Sequence, residues 1–374
     1  MNLPRSFGSQ RSTGFGWRSF SGSFAIWASA CLGCLGFGTG SVLAQAPVAG
    51  PTSLAASAPD FQPPERNITE WLLRMHEGSR KRTYVGTFVV SSSNSMSSSR
   101  IWHACDGEQQ MERVEALTGA PRSTIRRNDD VITFHADSKV ALSEKREFSG
   151  VFPGLLKSNQ AGLAQLYSAR QMGVDRVAGI EADVVLLQPK DKLRFGYRVW
   201  SERKSGLVIK LQTLDTDGRV LEQAAYSELQ LDAPVSMGKL TQMMSNLDGY
   251  RLVKSDLQKT TALAEGWQMK SVVPGYKPMN CYKRTVVKSD GANTDSAVQW
   301  IFSDGLSSVS LFVETFDRAR HVQEGQAASG ATHSITRRFI DKPGEPAGDW
   351  WLTVVGEVPV QVLLGFAQSL ERKK

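Results

Sequence analysis

The alternation of hydrophobic and polar positions changes character twice along this 374-residue chain. Ile68, Trp71, Leu72 and Met75 recur at i, i+3, i+4 and i+7, which gathers them on one face of a helix, and Asn67 stands where an N-cap belongs. The stripe predicts a helix that carries Trp71 into a core. From Tyr84 the period shortens to two, and residues 83–90 are rich in β-branched and aromatic types. Further strands are expected at 100–105, 110–117, 171–178, 182–188, 194–201, 206–214 and 219–230, with a break at Phe152-Pro153-Gly154 and a short helix near 162–167. A second series follows near 267–273, 279–287, 297–303, 306–316, 331–340 and 349–355. The adjacent Trp350 and Trp351 should point to opposite faces of the last strand. The chain closes on a helical stripe of Val360, Leu363, Leu364, Phe366, Ala367 and Leu370, whose basic tail is expected to suit the negative end of the helix dipole.

Five Asp-Gly pairs punctuate these runs, at 106–107, 217–218, 248–249, 290–291 and 304–305, and four of them separate strand-like segments. Asp-Gly favours tight hairpins in which both central residues take positive φ, so the pattern argues for antiparallel pairing. The fold class is α+β, with long twisted antiparallel sheets and helices on one face. Two domains are expected, at 66–232 and 263–374. The stretch 233–262 reads as a connector, in which Pro234 ends a strand and Met237, Leu240, Met243 and Met244 suggest a short amphipathic helix.

The N-terminus changes the compartment. A basic opening precedes an apolar stretch over residues 20–43, which closes on small residues and reads as a secretory signal peptide cut after Ala44. Five glycines between 22 and 40 argue against a stable spanning helix, and Ala28-Ser29-Ala30-Cys31 lacks the Leu expected of a lipid-modified cysteine. Residues 45–65, rich in Pro, Ala and Ser, read as a flexible lead-in. The segment 1–46 holds Arg5, Arg11 and Arg18 and no acid, so its removal lowers the formal charge of +7 by three, to +4. That mild balance, with charges of both signs interleaved, does not call for nucleic acid. Two cysteines remain after processing, Cys105 and Cys281. An oxidising compartment makes a disulfide between them one expectation and two buried thiols the other.

Catalytic signatures are missing from the sequence. It holds no G-x-S-x-G, no H-E-x-x-H, no P-loop and no dinucleotide fingerprint. His76, His103, His135, His321 and His333 have no metal-ligand spacing, and Asp129-Asp130 sits in a turn. No enzyme activity, metal or cofactor is expected. What stands out is a surplus of aromatic residues on strands: Phe88, Trp102, Phe134, Phe148, Phe152, Tyr197 and Trp200. They either line a pocket for an acyl chain or fill an ordinary core.

Several segments together resemble one family. They are residues 84–90, Ile101-Trp102-His103 leading to Asp106-Gly107 and Met111-Glu112-Arg113-Val114, then Glu147-Phe148, Phe152-Pro153, and Phe195 through Trp200. The block 298–312, Ala331-Thr332 and 351–359 continue the series, so that it spans about residues 66–372. In this order they resemble the RseB/MucB family of periplasmic sigma-E factor regulatory proteins. The resemblance implies an N-terminal lipoprotein-carrier-like half-barrel with an apolar pocket and a smaller β-rich C-terminal domain. It also implies a partner, the periplasmic part of a membrane-spanning anti-sigma factor, which such proteins shield from proteolysis until a lipid or lipopolysaccharide signal releases them. Arg284, Arg318, Arg320, Arg337 and Arg338 are then candidates to meet an acidic partner segment, with a solvated face as the other reading. A periplasmic lipid or lipoprotein carrier is the alternative function, and two broad β surfaces leave room for a homo-oligomer.

Overall fold

The computed structural model describes residues 66–92, 95–145, 162–254, 257–287, 294–340 and 348–373. The first helix, α1 (Ile68–Lys81), starts where the sequence places it. Asn67 accepts from the Glu70 backbone N–H and the Glu70 carboxylate accepts from the Asn67 N–H, a reciprocal capping box. Its apolar stripe buries Ile68, Trp71, Leu72 and Met75.

Six strands follow: β1 (Tyr84–Ser92), β2 (Ser95–Cys105), β3 (Gln110–Ala116), β4 (Arg122–Arg127), β5 (Asp130–His135) and β6 (Val140–Lys145). After the short α2 (Leu163–Leu166) come β7 (Tyr167–Val177), β8 (Ile180–Pro189), β9 (Gly196–Glu202), β10 (Val208–Leu214) and β11 (Val220–Leu231). Next are α3 (Met237–Ser245) and β12 (Arg251–Lys254). Among the described residues these strands form one twelve-stranded sheet in the order β12-β6-β5-β4-β3-β2-β1-β11-β10-β9-β8-β7. All neighbours are antiparallel except β12 and β6, which run parallel.

The second sheet is built from β13 (Leu257–Thr260), β15 (Lys277–Val287), β16 (Thr294–Ser303), β17 (Ser308–Thr315), β18 (Gly325–Ser329), β19 (Thr332–Ile340) and β20 (Asp349–Gly356). Its order is β13-β15-β16-β17-β20-β19-β18. The helix α4 (Val360–Ser369) closes its core with Val362, Leu363, Phe366 and Ala367. The small strands β14 (Trp267–Met269) and β21 (Leu370–Arg372) pair with each other.

Four expectations are corrected. The helices do not share one face of the large sheet. The apolar stripe of α1 packs with Tyr197, Val199 and Leu211, whereas α3 packs Leu240 with Ala104, Met111, Ile125 and Phe134. Tracing the pairing from strand to strand puts these two sets on opposite faces. The stretch 233–262 holds the expected short helix, α3, but is more than a connector: α3 covers one end of the first sheet, β12 extends it, and β13 edges the second. The chain does not end on a helix, because residues after Ser369 turn into β21 and Arg372 faces Trp267 instead of the helix dipole. Finally, the Asp-Gly hairpins bend differently. At Asp106-Gly107 and Asp304-Gly305 the glycine alone takes positive φ, 97° and 103°, and the aspartate side chain accepts from backbone N–H groups across the turn. Among the described residues the turn with two positive φ values is Ala178-Gly179, between β7 and β8. Asp248-Gly249 joins α3 to β12 and is no hairpin; Asp290-Gly291 lies outside the described residues.

Candidate functional site

The aromatic candidates divide between the two faces of the large sheet. Phe88 packs edge-on against Tyr226 at 6.1 Å, and the register carries this face to Tyr197, which is buried under α1. Trp102, Phe134 and Trp200 lie on the other face. The Arg113 and Arg100 guanidinium groups stand 4.8 and 5.4 Å from the Trp102 ring. Phe134 meets Tyr250 at 5.2 Å beside α3. Trp200 donates from Nε1 to Asp175 Oδ2 at 2.8 Å and carries the Lys210 ammonium 4.2 Å from its ring. Phe88 and Trp200 nonetheless belong to one buried cluster with Tyr84, Ile101, Ile209 and Tyr226. Tyr197 packs under α1 and Phe134 beside α3, so the structure does not bring these five together in one cavity. Phe148 and Phe152 lie outside the described residues.

The basic candidates occupy the second sheet and the loop after β17. Arg320 already pairs with Glu314 at 3.0 Å and Asp317 at 3.2 Å. Arg338 is paired with Asp349 and stands 4.2 Å from the Phe316 ring. Arg318 is exposed, and Arg284 and Arg337 are half-buried on β15 and β19. Trp350 and Trp351 do face opposite ways: Trp350 touches Trp267 in the core at 5.3 Å, and Trp351 stacks on His321 at 4.8 Å.

Two histidines, His103 and His321, are held by contacts within the fold. His103 donates from Nδ1 to the Arg82 carbonyl at 2.7 Å and stacks on Tyr84; burial holds its pKa below the ordinary value. His321 accepts from the Asp317 N–H at Nδ1, which leaves Nε2 to donate to Glu314 at 3.3 Å; burial lowers its pKa despite that carboxylate. Cys105 is a half-buried free thiol on β2 and Cys281 a buried free thiol on β15, in different sheets. Among the described residues no group of three or more His, Cys, Asp and Glu is arranged to hold a metal ion. No described helix is long and apolar enough to cross a membrane.

Sequence reasoning missed Arg194 and Asp304, whose side chains form a fully buried ion pair between the two sheets at 2.9 Å. Asp304 was visible only as a turn residue, because a strand pattern carries no record of which carboxylate crosses to another sheet.

Comparison with known proteins matches both halves of the fold. The profile of the MucB/RseB N-terminal domain covers residues 67–244, and that of the C-terminal domain covers 261–371. The sigma factor AlgU regulatory protein MucB of Pseudomonas aeruginosa is 27% identical over 295 residues, which is 79% of this chain and 87% of that protein. The sigma-E factor regulatory protein RseB of Escherichia coli is 21% identical over 300 residues, 80% and 89% of the two chains. The crystal structure of MucB in complex with MucA(peri) superposes with a TM-score of 0.61 at 24% identity, over 82% of this chain and 99% of that one. With a large open sheet, a smaller second sheet and few helices matched across both domain profiles, the chain belongs to the MucB/RseB family.

Proposed function

We propose that this protein is an exported, periplasmic negative regulator of envelope-stress sigma-factor signalling. It binds the periplasmic part of a membrane-spanning anti-sigma factor, shields that segment from proteolysis, and lets go when a lipid signal binds. The observation that carries this reading is the likeness, across both sheets, to a MucB solved in complex with MucA(peri). Family membership, in a group whose members are named sigma factor regulatory proteins, supports a binding role without catalysis. In this proposal residues 1–44 are removed on export, the first domain takes the acyl chain and the second meets the partner. An acidic partner segment would reach the exposed Arg318 most directly, since at Arg320 and Arg338 it has to displace Glu314, Asp317 and Asp349. Release is a linkage effect: a lipid that binds the free form better weakens the partner complex by that difference in affinity and no more.

The test is a titration of residues 45–374 with the periplasmic segment of an anti-sigma factor from the same organism, with and without saturating lipid. Binding that protects the segment from its protease and weakens as lipid is added supports the proposal. Intact binding that ignores lipid removes the release step. Absent binding in a folded protein that takes up acyl chains favours a lipid carrier.

A further inference from the structure

The two sheets meet through reciprocal insertions. The loop between β8 and β9 reaches the second sheet, where Leu193 packs on its core and Phe195 meets His333 edge-on at 5.7 Å. The turn between β16 and β17 reaches back. Its Leu306 is buried in the α1 core with Trp71 and Tyr167, and its Gly305 lies so close to Leu163 that a Cβ would come within 3.2 Å of that side chain.

Between these insertions lies a closed set of polar contacts. Arg194 Nε donates to Asp304 Oδ2 at 2.9 Å, and both side chains are fully buried. The same oxygen accepts from the Tyr167 hydroxyl at 2.9 Å, while Oδ1 takes the N–H groups of Leu306 and Ser307. The guanidinium also donates to Asp191 and, at 2.7 Å, to the Pro274 carbonyl. The Tyr276 ring lies 5.1 Å from it, and the Tyr276 hydroxyl pairs with Ser307 Oγ at 3.0 Å. Gly275 takes φ 84°, and a Cβ there would fall 1.9 Å from the guanidinium.

A buried ion pair offsets its desolvation cost only with good geometry and its lone pairs engaged, and removing one partner leaves an uncompensated buried charge. Domains touching through ordinary wet surfaces are expected to move against each other. Here the groups of one sheet end inside the core of the other, so a change of angle would strand a buried charge. We infer that the Arg194–Asp304 pair, with Leu306 beside it, is an interdomain latch that makes the two sheets unfold and move as one body. Asp106 provides the internal contrast: it braces its own turn through Oδ1 in the same way and stays within one sheet.

The test compares the purified protein with Asp106→Ala and with the double variant Asp304→Asn, Leu306→Ala, by calorimetry and small-angle scattering. The parent and Asp106→Ala should show one unfolding transition. The double variant should show two, and a larger maximum dimension. A double variant that keeps one transition and the parent's scattering profile overturns the inference. Should the double variant fail to fold, Asp304→Asn alone decides by hydrogen exchange, since it keeps the Oδ1 brace. The latch requires protection to fall at least tenfold on both sides of the junction, at 304–307 and at 191–195. A loss confined to 304–307 refutes it.

Discussion

The substitution Arg372→Ala tests how the second core is sealed. Arg372 sits on β21 opposite Trp267, two residues from the end of the chain. Its guanidinium stands 4.9 Å from the Trp267 ring and 4.8 Å from the Trp350 ring, and donates to the Glu265 carbonyl at 2.6 Å. Trp267 in turn meets Trp350 and Phe339 edge-on. Each cation–π contact is worth about 0.5–2 kcal/mol, rising with desolvation. The charged hydrogen bond adds about 1.5–3 kcal/mol. These contacts share one group and are not additive. A loss of about 2–4 kcal/mol is therefore expected, an appreciable share of the ~5–15 kcal/mol that holds a typical domain.

The assay is urea unfolding followed by tryptophan fluorescence, with Arg372→Lys alongside. Lysine keeps the charge and loses the planar stack and the fork of donors, so it should recover less than half of the loss. A cost for Arg372→Ala below about 0.5 kcal/mol, the range of ordinary surface substitutions, would refute the argument. So would full recovery by lysine, which would show that charge alone matters.

Other expectations follow from the same contacts. Asn67→Ala removes the capping box of α1 and should cost about 1 kcal/mol in the urea midpoint. Phe366→Ala opens a cavity against Phe302 and Tyr276 and should cost about 3–5 kcal/mol in the same assay. Burial lowers the pKa of His103 and His321 below their ordinary value of 6.5, so the unfolded chain takes up these protons at a higher pH than the fold does. Their contribution to stability is complete above that value and is lost as pH falls below it, and His103→Gln should flatten the slope of unfolding free energy just below pH 6.5. Burial pushes the Cys281 thiol up to about 11, so a thiol reagent should modify Cys105 first and reach Cys281 only on unfolding.

What the sequence discloses and what it hides separate by the range of the interaction. The N-cap of α1 is legible because Asn67 directly precedes the apolar stripe. The long strands β7 to β11 are legible because side chains alternate with a period of two, whereas the short strands β4, β5 and β6 and the Ser-rich start of β2 are not. Periodicity assigns a residue to a face of its own strand, yet it cannot say whether that face matches one eleven strands away. Phe88 and Trp102 share the aromatic signal and end on opposite sides, because the register between β1 and β2 sets Trp102 against Val85. The same limit explains Arg372. Its charge near a helix end suggested a dipole contact, but Leu370 begins a strand, and the two tryptophans that receive Arg372 lie at positions 267 and 350. Asp304 carries both kinds of information at once. Its Oδ1 braces a local turn, which Asp-Gly announces, and its Oδ2 meets Arg194 across 110 residues of chain, which nothing local announces. A turn whose aspartate is fully buried has little reason to be dry on account of the turn alone, since Asp106 braces its own while exposed. The burial of Asp304 is explained by the second oxygen, and so by the union of the two sheets.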